Sequence, residues 1–113
     1  MTVNDMICKM ITYSNGNKHD IAHFLKVYAY ARMIGEMEKL EENQQKTLEI
    51  AAVIHDIACP VCREKYGNTN GANQEKESPV LVESFLKDTD LDQKMKERIK
   101  FLVSHHHTYT GVD

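Results

Sequence analysis

Apolar residues recur at three- and four-residue spacing along most of the chain, which is the signature of helices with one buried face. Val3, Met6, Ile7, Met10 and Ile11 mark the first. Asn15-Gly16 is its natural stop, since both residues tolerate the left-handed conformation found at helix ends. A second helix is predicted from about Ile21 to Leu40, with His23, Val27, Ala31 and Ile34 on one stripe and Asp20 as its capping residue. Its end, with Glu36, Glu38, Lys39, Glu41 and Glu42, reads as a solvated charged surface. A third, from about Gln44 to Asp56, carries Leu48, Ala51, Ala52 and His55 on one face, and Pro60 ends it.

From Cys59 to Glu77 the chain turns polar and rich in Gly and Asn, the composition of a long functional or mobile loop. Ser78-Pro79 has the form of an N-cap followed by proline at the first helical position. Leu81, Val82, Phe85 and Leu86 supply the buried stripe of that fourth helix. Asp90 or Asp92 opens a fifth, in which Met95, Ile99 and Leu102 lead on one face to His106. There is no strand-like alternation and no internal repeat. The expectation is an all-α protein: a single compact domain of about five helices over residues 1–113.

Composition narrows the function classes. A chain of 113 residues is one small domain, able to bury about two-thirds of its unfolded surface. A net charge of -3, with no basic stripe interleaved with aromatics, argues against a nucleic-acid polymer as partner. The apolar run from Ile50 to Ile54 is too short to span a bilayer, so no membrane partner is expected. Asn4, Asp5 and Lys9 interrupt any signal-peptide core, and three cysteines do not suggest a disulfide framework. The expected compartment is the cytoplasm.

The histidines carry the chemistry. Of six, five fall in or beside His23, the dipeptide His55-Asp56 and the pair His105-His106, with only His19 outside. Neutral imidazoles and carboxylates from separate helices hold divalent metals with coordination positions left open. Each piece has an ordinary explanation when taken alone. His23 on an apolar stripe is by default a hydrogen-bonded core residue, and the run ending in His107 is by default a polar helix end. A His-Asp dipeptide also arises by chance, as His19-Asp20 demonstrates. Several histidines emerging from core faces of three helices are hard to satisfy by hydrogen bonding, however, and jointly they favour a metal.

These residues resemble the HD superfamily of metal-dependent phosphohydrolases. His23 with Val27 and Ala31 is similar to the family's first-histidine helix, and Ala51-Ala52-Val53-Ile54-His55-Asp56-Ile57 to its apolar run into the His-Asp pair. His105-His106 resembles the extra histidines of members that bind two metals. The resemblance implies that His23, His55 and Asp56 hold one ion, and that His105 and His106 contribute to a second. Where many two-metal members carry a histidine, this sequence offers Gln74-Glu75-Lys76-Glu77, so Glu75 or Glu77 would serve as an oxygen ligand or hold the attacking water. The family's last aspartate ligand lies on a following helix, and the sequence ends at Asp113, where that helix would begin.

The implied activity is hydrolysis of a small phosphorylated molecule, a nucleotide among the candidates, by attack of metal-bound hydroxide on phosphorus. Mixed His/carboxylate ligation suits manganese, iron, cobalt, nickel or zinc, as one or two ions. Arg63 and Lys65 are the nearest cations for phosphoryl oxygens, with Lys18 and Lys26 as weaker candidates. Two alternatives stand beside this: a di-iron oxygenase with a similar ligand set, and a non-catalytic metal- or nucleotide-binding module. Cys59-Pro60-Val61-Cys62 is a weak zinc signal without a second ligand pair, and reads as a pair of buried thiols. An apolar face around Leu102 and Val103, left exposed without the closing helix, would be covered by forming a homodimer.

Overall fold

Most helices begin where a side chain accepts from an unpaired amide, and these caps set those element boundaries in the computed structural model. It describes residues 1–112, with the side chains of 106–112 excepted. In α1 (Val3–Tyr13), Thr2 accepts from the Asp5 amide at 3.1 Å while Asp5 accepts from the Thr2 amide at 2.8 Å, a reciprocal capping box. The helix stops as predicted: Asn15 and Gly16 both take left-handed backbone, with φ of 51° and 79°. Helix α2 (Lys18–Met37) is capped by Asn17, which accepts from the Asp20 amide at 3.0 Å. Asp20 is therefore not the cap. The helix starts earlier than predicted and places Asp20 in its first turn, where a carboxylate favours the helix dipole.

The C-terminus of α2 is a Schellman turn. Lys39 donates its amide to Glu36 O and Leu40 to Gly35 O, both at 3.1 Å, with Lys39 at φ 58°. Glu41 then caps α3 (Glu42–Ile54), accepting from the Gln44 amide at 2.6 Å.

The chain divides into two compact units, Met1–Ile54 and His55–Asp113. In the first, α3 packs against both α1 and α2. Met6, Met10, Phe24, Ile50 and Val53 are buried there. Gly35 is the close-approach point of α2 and α3, because a Cβ at that position would collide with the Gln45 side chain.

The second unit holds α4 (Cys59–Tyr66), α5 (Gly71–Leu86) and α6 (Gln93–Val112), with α5 packed on both neighbours. All six helices among the described residues join without a strand, so the fold is all-α. The segment from Cys59 to Glu77 is not a loop. It forms α4, a left-handed cap at Gly67 (φ 74°), a short connection and the first turns of α5. Consequently Ser78 is not an N-cap and Pro79 is not a first-turn residue; both lie inside α5. The buried stripe of α5 starts with Gln74 and Ser78 before reaching Val82, Phe85 and Leu86, and its polar beginning hides the helix from a hydrophobicity reading. Asp92 caps α6, accepting from the Met95 amide at 2.8 Å. Met95, Ile99 and Val103 are its buried face and Leu102 is half-buried, so the face predicted to be exposed around Leu102 and Val103 is not.

Candidate metal centre

The second unit opens on the His-Asp pair. Residues Ile50–Ile54 are buried without a break, so the last turn of α3 is apolar on every side. The helix ends there, and a turn over residues 55–58 carries the chain into α4. This turn is tied down by its backbone. The Cys59 amide donates to Asp56 O at 2.9 Å, and the Cys62 amide to Ala58 O at 2.8 Å. Ile57 and Ala58 are fully buried. Anchoring of this kind limits how far the flanking side chains can wander.

Within it, His55 Nε2 lies 3.2 Å from Asp56 Oδ2, with the two side chains 15% and 31% exposed. An imidazole nitrogen and a carboxylate oxygen held at that distance can both reach one divalent cation, since both atoms ligate in their deprotonated forms. Partial exposure leaves room for exchangeable ligands.

The other predicted residues are distributed as follows. His23 sits on α2 in the first unit and is exposed. The apolar stripe assigned to it is not the buried face of α2: Phe24 and Gly35 are buried, Val27 and Ala31 half-buried, and Ile34 exposed. His23 is therefore not a core histidine. His105 is also exposed, with its ring 4.5 Å from that of Phe101 and tilted by 42°. It does not occupy the buried side of α6 that its spacing from Ile99 and Leu102 suggests. The His106 side chain and Asp113 lie outside the described residues.

Glu77 and Lys65 are brought together. Glu77, half-buried on α5, accepts from Tyr66 Oη at 2.6 Å and from Lys65 Nζ at 3.1 Å. Those two bonds, Tyr66's first, hold its carboxyl below the usual range, and the Glu77 carboxylate in turn raises the Lys65 ammonium. The trio braces α4 against α5. Tyr66 was invisible as a partner in the sequence, because its carboxylate lies across a segment that reads as irregular. Glu75 is half-buried on α5 and Arg63 exposed on α4. Cys59 and Cys62 are buried thiols not joined in a disulfide, and burial, with the Glu77 charge, pushes Cys62 up.

A family model for the HD domain matches residues 20–111, most of the chain. The chain belongs to the HD-domain family. Members of that family are in general metal-dependent phosphohydrolases, and HD domains typically bind divalent metals. No curated protein and no solved structure matches this HD domain. The donor chemistry suits such an ion: a part-exposed imidazole beside a carboxylate, on a backbone pinned by hydrogen bonds. No candidate span long and apolar enough to cross a membrane occurs among the described helices.

Proposed function

We propose that this HD domain hydrolyses a small phosphorylated substrate with the help of a divalent transition metal. On the family resemblance, the ligand set of this reading is His23, His55 and Asp56. The observation that carries it is the His55–Asp56 pair, two metal-competent donors 3.2 Å apart on an anchored turn. When bound, a divalent metal acidifies coordinated water and polarises phosphoryl oxygens.

The chain's own residues would contribute the rest. His23 and His55 would ligate as neutral imidazoles. Asp56 supplies a carboxylate that orients the attacking water. Arg63, exposed on α4, is the cation for the substrate phosphate. Lys65 is a weaker choice, because neutralising Glu77 already occupies its ammonium. Glu75 is kept as the carboxylate for a second ion with His105 and His106, while Glu77 is committed to Tyr66 and Lys65. A nucleotide is the substrate class to test first.

Purified protein loaded with manganese, iron, cobalt, nickel or zinc should be screened against nucleotides and small phosphate esters. Release of inorganic phosphate that disappears in His55→Ala and Asp56→Ala, with helical content unchanged, is the expected result. Equal release by wild type and both variants would refute the assignment. Metal binding without turnover of any phosphate ester would favour the non-catalytic module instead.

A further inference from the structure

The Cys59-Pro60-Val61-Cys62 motif has no part in the proposed hydrolysis, yet the structure gives it a definite place. Both thiols lie in the first turn of α4, and they are the two side chains that this helix buries. Val61, the apolar residue between them, is half-buried. Cys62 is fully enclosed, whereas Cys59 keeps 9% of its surface open. Their sulfurs are not joined.

Helix geometry decides what two such thiols can do. Residues three apart in an α-helix share a face, with Cα atoms about 5 Å apart. A disulfide spans roughly 4.4–6.8 Å between Cα atoms, so the spacing is already that of a bridged pair. Pro60, whose φ is fixed near the helical value, stiffens the turn between them. Its two ends are pinned by the Cys59 amide on Asp56 O and the Cys62 amide on Ala58 O. A closed zinc site would need two further ligands. Among the described residues no third His, Cys or carboxylate donor joins both thiols.

We propose that Cys59 and Cys62 are a reversible dithiol–disulfide couple, a modification site for small-molecule disulfides of the glutathione class. Cys59, the more open sulfur, loses its proton and attacks one sulfur of glutathione disulfide. The bond between the glutathione sulfurs breaks, and the first glutathione leaves and takes up a proton. Cys62 then loses its proton and attacks the Cys59 sulfur of the mixed disulfide, expelling the second glutathione, which is protonated in turn. One S–S bond breaks, one forms, and two electrons pass from the protein to glutathione. Burial suits Cys62 to this second, intramolecular step, because it shields the sulfur from outside reagents. The couple needs no metal, so it stands or falls apart from the proposed hydrolase.

A Cys8→Ser protein tests it, equilibrated for hours in glutathione buffers of graded reduced-to-oxidised ratio and then quenched in acid. Hours are needed because burial slows the exchange. Mass spectrometry should show an intrachain Cys59–Cys62 disulfide, reversed by dithiothreitol, with helical content intact. The folded chain should be half-oxidised in a buffer at least about tenfold more reducing than the same chain in urea, since the fold holds the thiols at bridging distance. Adding Cys62→Ser should stop the reaction at a glutathione adduct on Cys59, while adding Cys59→Ser should leave Cys62 unmodified. Absence of the intrachain disulfide at every ratio, or a folded chain no more easily oxidised than the unfolded one, would overturn the proposal. An adduct on Cys62 in the folded Cys59→Ser protein would overturn the order of attack. The Cys8→Ser titration decides the proposal even if neither further variant folds.

Discussion

Tyr66 donates its hydroxyl to the Glu77 carboxylate at 2.6 Å, fastening the last turn of α4 to the middle of α5. The bond favours the charged form of Glu77, so the folded carboxyl titrates below its ordinary value of 4.5. A depressed folded pKa contributes stability that is fully present above 4.5 and lost as pH falls through the lowered folded value. Glu77→Gln and Tyr66→Phe should therefore melt below wild type at neutral pH. The difference should shrink as the solution is taken below the normal glutamate range. Thermal melts across that range check it, and a gap that widens in acid would contradict the assignment.

Lys39 carries positive φ at the position of the Schellman turn where glycine is preferred. An L-residue there costs about 1–2 kcal/mol, from which the extra freedom of glycine in the unfolded chain subtracts. Lys39→Gly should gain about 1 kcal/mol, a rise in Tm of roughly 3–6 °C for a domain of this size. Lys39→Ala keeps the strained backbone and should gain nothing. Both are read by thermal denaturation.

Gly35 meets Gln45 so closely that even a methyl group must displace the amide. Gln45 Nε2 donates to Arg32 O at 3.3 Å and also bonds Glu49, while its Oε1 is buried with no hydrogen-bond partner. Gly35→Val should destabilise by about 1–3 kcal/mol through overpacking. Gly35→Ala placed in a Gln45→Ala background removes the collision and adds up to about 1 kcal/mol of helix propensity. The double variant should then melt above Gln45→Ala alone; a lower Tm would mean that the backbone itself needs glycine.

The legible and illegible parts of this chain divide on physical grounds. Asn15-Gly16 announced the end of α1, because only residues at ease with positive φ stop a helix there. The His55-Asp56 dipeptide and the apolar run before it were plain. Hidden were α4 and the start of α5, since Gln74 and Ser78 fill buried positions with polar side chains and only residues 67–70 separate the two helices. Pro79 misled for the same reason, sitting inside a helix that already had two turns before it. On α2 the error ran the other way. Ile34 is apolar and exposed, so hydrophobic periodicity found a stripe that is not the packed one. At the site, adjacency of His55 and Asp56 could be read from the sequence, but the direction of their side chains could not. His105, six residues after Ile99, falls off the face set by Met95, Ile99 and Val103, which counting half-buried Leu102 as part of that face concealed.

The thiols should separate sharply by reactivity. Cys8 is exposed, whereas Cys59 and Cys62 are buried and burial pushes Cys62 further from its reactive thiolate. A maleimide pulse on native protein should modify Cys8 alone, with the other two appearing only after denaturation. Fast native labelling of Cys62, located by peptide mass, would contradict the packing of α4.

Whether the His55–Asp56 turn holds a metal is decided by elemental analysis. Protein purified without chelator or affinity nickel should be loaded with manganese, iron or zinc, desalted and assayed for metal. Wild type should hold at least one ion tightly per chain, and His55→Ala should lose it at unchanged helical content. A wild-type protein that retains none of these metals, or a His55→Ala variant that retains them fully, would contradict it.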